Sequence, residues 1–427
     1  RLSAFQNPEF YQKQAMRIPT YSIPRIICCA EDFDKYLALP RGCFDDVKEL
    51  FKQLEIKVVV SDKQLTGKPI DTTFNGTLYP EQKIVATALL EYDNGILAAT
   101  TAFGKTVVAC YILAQRKVNT LILVHRRQLQ EQWKVRLEQF LDVDSGDIGL
   151  IGAGKRKPTR KIDIAIIQSL SKKSVVDNIV AEYGHLIVDE CHHISAPSFE
   201  AITRQYKGKY ITGLSATVTR KDGHHPIIYM NCGPVRYRVC AKSEAQKRIF
   251  THRLIIRNTK FELPPNLKTK EKLTITDLYS ALMDSIPRNA MILEDVMEAI
   301  HDGRFPVLLT ERREHLEYFT EILKNQVANL IVFKGGMSKK QLADAQDKLN
   351  SVSDDKSNLI LATGRYLGEG FDHSRLDTLF LALPVSWKGT IAQYAGRLHR
   401  DHHSKSKVII YDYADLNVPM LAKMYER

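Results

Sequence analysis

Two runs of residues in this 427-residue chain have the types and spacing to handle a chain of phosphates. In Gly95 to Gln115, GILAATTAFGKTVVACYILAQ, a short apolar run leads into a loop of small residues. Gly104-Lys105-Thr106 follows, and then apolar residues able to continue as a helix. Phosphates are held by loop N–H groups, a helix N-terminus, a lysine on the terminal oxygens and a hydroxyl that shares Mg²⁺. Ala102, Phe103 and Gly104 would supply the loop, Lys105 the charge and Thr106 the hydroxyl. The second run, His185 to His193 (HLIVDECHH), is an apolar strand that delivers two adjacent carboxylates at its end. ATP hydrolysis needs such a pair, Asp189 to anchor Mg²⁺ and Glu190 to orient and deprotonate the attacking water.

The first run departs from G-x-x-x-x-G-K-[ST], because Ala99 stands at the first glycine and the bulky Phe103 precedes Gly104. Alone it reads equally as a buried strand and helix joined by a polar turn. A rival, Gly149-Leu150-Ile151-Gly152-Ala153-Gly154-Lys155, fits the glycine spacing better. It carries Arg156 in place of the hydroxyl, and Pro158 disfavours a helix there, so it reads as a basic loop. Gln82, ahead of the phosphate loop, can read adenine because its amide both donates and accepts. Farther on, Gln393, Arg397 and Arg400 share one helix face by their i, i+4, i+7 spacing, and such arginines can act as fingers on a terminal phosphate. A Gly-rich turn from Thr363 to Asp372, including Gly370 and Asp372, lets backbone approach a nucleotide closely. His192 and His193 have no spaced Cys/His partners that would make a zinc site.

The elements that must position these groups alternate as strand and helix. Apolar strands are expected at Thr120 to Val124, Asp163 to Ile167, His185 to Val188 and Tyr210 to Leu214, and again at Pro306 to Leu309, Asn329 to Phe333, Asn358 to Ala362 and Thr378 to Leu383. That rhythm predicts parallel α/β sheets with ligands at the strand ends. Ahead of it lies a leading stretch with a strand at Arg25 to Cys29, a helix from Val47 to Leu54 and a strand from Glu55 to Val60. The expected organisation is an α+β unit at 1–72, a first α/β domain at 73–245, a connector at 246–288 and a second α/β domain at 289–427. Lys and Arg number 61 against 49 Asp and Glu, a net charge of +12 that favours a polyanionic partner, nucleic acid first. Seven scattered cysteines without a C-x-x-C pair suggest reduced thiols and a cytoplasmic location, and no stretch resembles a membrane span or signal.

Taken together, LVHRRQLQEQW, DECHH, SAT (Ser215 to Thr217), GEGFD and QYAGRLHR resemble the superfamily 2 helicases across roughly residues 77 to 427, and within them the XPB type. The run LALPRG resembles the DNA-binding units placed before such cores, and the whole is similar to XPB-like helicases of TOTE-type conflict systems, which are associated with a primase. The resemblance implies two RecA-like domains in tandem after a small α+β domain, using ATP and Mg²⁺ in an inter-domain cleft. It implies coupling through Ser215 and Thr217, and nucleic-acid contacts at Arg126, Gln168, Ser169 and Thr363. The expected activity is ATP-driven movement on duplex or forked DNA. Two alternatives stay open: a nucleotide-gated DNA clamp or scaffold with little turnover, and an RNA helicase. With no nuclease cluster in the chain, cutting or priming would belong to another domain or chain. XPB-type proteins follow SAT with Arg-Glu-Asp, where this chain has Arg220-Lys221-Asp222, so strand separation is less secure than translocation.

Overall fold

Runs of four or five apolar residues with no polar face make strands covered on both sides, and Thr120–Val124 and His185–Val188 are buried at every position. The computed structural model describes residues 2–172, 175–193, 196–218, 222–240, 250–270, 273–352, 357–364, 366, 373–385, 388–400 and 402–426. They divide into two compact units, 1–241 and 242–427.

The first unit opens with two short antiparallel ribbons, β1 (Ala4–Gln6) with β2 (Ile26–Cys28), and β3 (Glu31–Phe33) with β4 (Tyr36–Ala38). The helices of this leading stretch are α1 (Pro8–Ala15) and α2 (Phe44–Gln53). The main sheet comprises β5 (Asn94–Ala98), β6 (Thr120–Val124), β7 (Ile148–Gly152), β8 (Lys155–Lys157) and β9 (Ile162–Ile166). After a small ribbon of β10 (Ser171–Lys172) and β11 (Val175–Val176) it continues with β12 (His185–Val188), β13 (Tyr210–Ser215) and β14 (Val235–Arg238). The order is β14-β5-β13-β12-β6-β9-β7-β8, parallel throughout except for β8. Helices α3 (Pro80–Leu90), α4 (Lys105–Arg116) and α5 (Arg127–Phe140) cover one face, burying Val85, Val108, Ile112, Trp133 and Leu137. Helices α6 (Ile167–Leu170), α7 (Ala196–Gln205) and α8 (Pro226–Cys232) cover the other with Leu170, Phe199, Ile202 and Ile228.

The leading stretch docks on this sheet. Gly42 lies so close to α8 that a Cβ there would stand 2.2 Å from the Tyr229 carbonyl oxygen. Arg41 donates to the Gly208 carbonyl at 2.7 Å, and Arg236 reaches Asp45 at 2.6 Å. The strand expected from Glu55 to Val60 is absent: these residues are irregular and exposed. Their valines suit a strand, yet no strand pairs with them among the described residues, and propensity alone does not hold a strand. The rival glycine run is not a loop either. It forms the hairpin β7–β8, with Gly152 opposite Lys155, and Ala153 (φ 53°) and Gly154 (φ 82°) making a two-residue turn. Two left-handed residues are what a type I′ turn requires.

The second unit carries a parallel sheet of six strands: β15 (Thr251–Asn258), β16 (Pro306–Thr310), β17 (Asn329–Phe333), β18 (Asn358–Thr363), β19 (Thr378–Leu381) and β20 (Lys407–Ala414), in the order β15-β20-β19-β16-β18-β17. Thr251–Asn258, in the stretch read as a connector, pairs with β20 along its whole length. No described helix is long and apolar enough to cross a membrane.

Candidate functional site

In a parallel sheet, groups that follow the strand ends converge on one edge. In the first unit this edge gathers the loop after β5, the carboxylates after β12 and the residues closing β13. The strand β13 lies between β5 and β12, so both clusters flank it.

The phosphate loop is built from within. Ala102 and Gly104 both have positive φ, +75° and +91°, and Gly104 is the N-cap of α4. Alternation into the left-handed region turns backbone N–H groups toward a common point, the geometry of an anion nest at a helix start. Phe103 is buried in the core beneath the loop, and Ala99 is buried as well, with its carbonyl oxygen accepting from Lys105 Nζ at 3.1 Å. These two departures from the usual pattern thus serve as anchors. Gln82, only 5% exposed, braces the same loop: its Nε2 donates to the Phe103 carbonyl at 2.8 Å and its Oε1 accepts from the Tyr79 N–H at 3.1 Å. A Cβ on Gly104 would stand 2.5 Å from that Nε2. One amide hydrogen and one lone pair of Gln82 are left over for a base.

Lys105 Nζ also lies 3.4 Å from Glu190 Oε1, which joins the two sequence motifs directly. Glu190 sits at φ 44°, a left-handed conformation that costs on the order of 1–3 kcal/mol for a residue with a side chain. That backbone turns its carboxylate toward His192 (Nδ1 at 3.3 Å) and toward the Ala216 N–H (3.4 Å). Ser215 Oγ lies 2.8 Å from His192 Nδ1 and accepts from the Thr217 N–H at 3.1 Å, while Thr217 Oγ1 is buried without a partner. Ser215 therefore meets Glu190 through His192, and Thr217 joins through its N–H on Ser215.

Asp189 accepts from Trp133 Nε1 at 2.7 Å. Burial, then the neighbouring Glu190, push its carboxyl up to about 6, with the Trp133 N–H and Lys105 pulling the other way. A buried carboxylate and a threonine hydroxyl at the start of α4 are hard oxygens of the kind that suit Mg²⁺, which takes one or two protein oxygens and completes its shell with phosphates and water. Thr106 and Asp189 would hold it, and the cradle at Gly104 fits the phosphates. The role of Trp133 was not read in the sequence, where it stood only within the run LVHRRQLQEQW. The signal was its place on the helix that Arg126 begins, one strand away from the carboxylates.

Of the proposed nucleic-acid contacts in this unit, Arg126 is the N-cap of α5, Gln168 is exposed and Ser169 is half-buried on α6, which starts directly after β9. All three follow the C-terminal ends of strands. In the second unit Thr363 closes β18, and Gln393 and Arg397 lie on the Lys388–Leu398 helix with Arg400 just beyond it. Gln393 is buried and both arginines are half-buried. Between them Tyr394 donates to Glu311 Oε1 at 3.0 Å. Gly364 is packed against that pair, since a Cβ there would stand 2.1 Å from Glu311 Oε1 and 2.3 Å from the Tyr394 hydroxyl. Gly370, Asp372, Arg220 and Lys221 lie outside the described residues.

The chain is similar to several known proteins. The family described as "Type III restriction enzyme, res subunit" matches residues 75–220. A putative ATP-dependent RNA helicase of Acanthamoeba polyphaga mimivirus is 27% identical over 81% of this chain and 66% of its own length. The transcript termination protein A18 of Yaba monkey tumor virus is 27% identical over 84% of this chain and 79% of its own. The DNA 3'-5' translocase XPB2 of Sulfurisphaera tokodaii is 28% identical over 59% of this chain and 55% of its own. The chain thus spans from about half to four fifths of these relatives. Among solved structures, the ATP-dependent type ISP restriction-modification enzyme LlaBIII bound to DNA shares the fold, with a TM-score of 0.56 and 16% identity over 78% of this chain and 27% of that one.

Proposed function

We propose that this chain, which is similar to superfamily 2 helicases, is an ATP-driven motor that moves along duplex DNA. The observation that carries the reading is the Lys105–Glu190 approach at 3.4 Å, beside Asp189 held by Trp133. It supports the reading because a cation suited to phosphate and two carboxylates suited to a metal and to a base stand on one sheet edge. Bound MgATP supplies the phosphoanhydride whose cleavage drives the motor. Lys105 and the α4 N-terminus bind and orient the phosphates, and Gln82 holds the loop in register while offering its spare amide valences to a base. Glu190 takes the proton of the attacking water, a role its left-handed backbone fixes in place. His192 and Ser215 connect the occupancy of this edge to β13 and its successor Thr217. Arg397 and Arg400 are the proposed stabilisers of charge on the terminal phosphate. Arg126, Gln168, Ser169 and Thr363 are the proposed contacts to the sugar-phosphate track.

The deciding experiment is steady-state phosphate release with and without duplex DNA, for wild type and Glu190→Gln. Stimulation by DNA is expected, with a loss of about 10²–10⁴-fold in the variant, the usual worth of a general base. A variant that hydrolyses ATP like wild type would sink the assignment. Negligible turnover by wild type would point to a nucleotide-gated clamp. A matched RNA duplex run alongside tests the polymer, since one relative is named an RNA helicase.

A further inference from the structure

The hairpin β7–β8 has no part in any role assigned above, yet it stands at the edge where those roles converge. β7 runs parallel to β9 with Ile151 opposite Ala165, so the turn after Gly152 comes level with the start of α6. The approach is close, because a Cβ at Gly152 would stand 2.7 Å from Ser169 Oγ and 2.8 Å from Ile166 Cβ. From Lys155 to Lys161 the chain carries five cations and no acid. Three of them are neutralised: Arg156 by Asp177 at 2.5 Å, Arg160 by Glu182 at 2.7 Å and Lys161 by Asp147 at 2.7 Å. Lys155 and Lys157 are exposed and have no acidic partner among the described residues. The register opposes Lys155 to Gly152, Arg156 to Ile151 and Lys157 to Leu150. The two free lysines therefore share one face of the ribbon, and the paired arginine lies on the other.

We propose that Lys155 and Lys157 form a phosphate-contacting ledge that extends the nucleic-acid track beyond Ser169, and that its occupant is the backbone of duplex DNA. The inference rests on the motor reading and deepens it. Two cations on one face of a ribbon complement a polyanion, and each phosphate they neutralise releases counterions. The ribbon is tied down at its far end and on its flank. At its far end the Thr159 N–H and hydroxyl each donate to Asp163 Oδ1 at 2.8 Å, and Tyr183 donates to the same carboxylate. On its flank Arg156 is pinned to Asp177. A pre-positioned ledge loses less freedom on binding than two lysines on a loose loop.

Because β8 is an edge strand, its lysines could instead serve only to block edge-to-edge pairing, a task that any charge performs. Substitution separates the two. Binding of the full chain to a fluorescent mixed-sequence duplex is measured by anisotropy over a salt series, together with ATP hydrolysis. Lys155→Ala/Lys157→Ala is expected to weaken binding roughly tenfold and to lower the slope of log affinity against log salt by about 1.8, the value for two phosphate contacts. The concentration of DNA giving half-stimulation should rise in parallel, with DNA-free hydrolysis and the rate at saturating DNA unchanged. Lys155→Glu/Lys157→Glu should bind more weakly still, whereas Lys207→Glu, an exposed lysine just before the N-terminal end of β13, should shift affinity far less. The ledge is refuted if the alanine pair keeps the wild-type slope, if the glutamate pair binds like wild type, or if only a matched RNA duplex senses the lysines. A wild-type chain that binds no duplex overturns the motor reading itself, and with it the ledge, before any substitution is compared.

Discussion

Trp133 and Gly104 show how much of the site rests on residues that carry no charge. Trp133 gives its only polar hydrogen to Asp189, and partners of metal-binding carboxylates typically change metal affinity or activity 10–100-fold. Trp133→Phe is therefore expected to raise the Mg²⁺ concentration for half-maximal ATP hydrolysis by about that factor, with much of the rate recovered at saturating Mg²⁺. An unchanged Mg²⁺ dependence would reduce the bond to packing. Since Asp189 is pushed up to about 6, its ionised form is depleted as pH falls through that value, so the Mg²⁺ concentration for half-maximal hydrolysis should rise on acidification from pH 7 to pH 5. At Gly104 two costs coincide, the left-handed backbone (φ +91°) and the 2.5 Å approach to Gln82. Gly104→Ala is expected to weaken ATP binding, and Gln82→Ala in the same chain should return the part due to the clash, leaving about 1–2 kcal/mol of backbone cost. Binding of a fluorescent nucleotide by the single and double variants measures this, and a Gly104→Ala loss equally large without Gln82 would exclude the clash. The chemistry-bearing residues Lys105, Asp189 and Glu190 were legible in the sequence because charge at fixed spacing is visible there. The Trp133 bond and the Gln82 brace were not, because each depends on a neighbour 21 or more positions away, and the anchoring by Phe103 depends on the core packed around it.

At the scale of elements, the central strands β6, β9, β12, β13, β16, β18 and β19 were legible because strands buried on two faces write themselves as unbroken apolar runs, whereas the exposed edge strand β15 fell in the stretch read as a connector. What failed were elements decided by partners: the Glu55–Val60 run has β-formers and no strand pairing with it among the described residues, and the Gly149–Lys155 run became a hairpin because Ala153 adopts a conformation more usual for glycine. The same dependence on neighbours governs the second unit, where Gly364 after β18 is held against Glu311 after β16 and Tyr394 on the Lys388–Leu398 helix. The strand end carrying Thr363 and the helix carrying Arg397 thus share one joint. A methyl group on Gly364 must displace that joint, and overpacking of this kind costs about 1–3 kcal/mol. Gly364→Ala is expected to lower the DNA-stimulated rate more than the DNA-free rate, because the joint lies between a proposed DNA contact and a proposed phosphate contact. Tyr394→Phe deletes the hydroxyl that the methyl would strike and should restore part of the stimulation. If the two variants lower both rates in equal proportion, the joint supports the fold alone.

At the scale of the whole molecule, each unit buries a histidine that must stay neutral, and this gives the chain a dependence on pH apart from its chemistry. In the second unit His315 lies between Asn289 Oδ1, 3.0 Å from Nε2, and Thr310 Oγ1, 3.1 Å from Nδ1. An amide oxygen can only accept, so Nε2 carries the proton and Nδ1 accepts from the threonine. Burial, then the nearby Arg288, hold the ring's pKa down to about 3. In the first unit His185, fully buried at the start of β12, is held well below the usual range by burial and by Arg116. For a histidine depressed in the folded state, stability is fully present above the unfolded pKa near 6.5 and is lost as pH falls, because only the unfolded chain takes up the proton. The loss approaches about 1.4 kcal/mol per pH unit per histidine. Asp377 and Asp412, raised by burial, work in the opposite sense, so the contribution must be read against a variant instead of from an absolute curve. His315→Gln can still donate to Asn289 and accept from Thr310, but it cannot be protonated. It should be less stable than wild type at pH 7.5, and the difference should shrink as pH is lowered to 5. Thermal unfolding across that range, with hydrogen exchange followed at residues 306–323, measures it. A difference that stays constant with pH would mean that the ring is not held neutral by its surroundings.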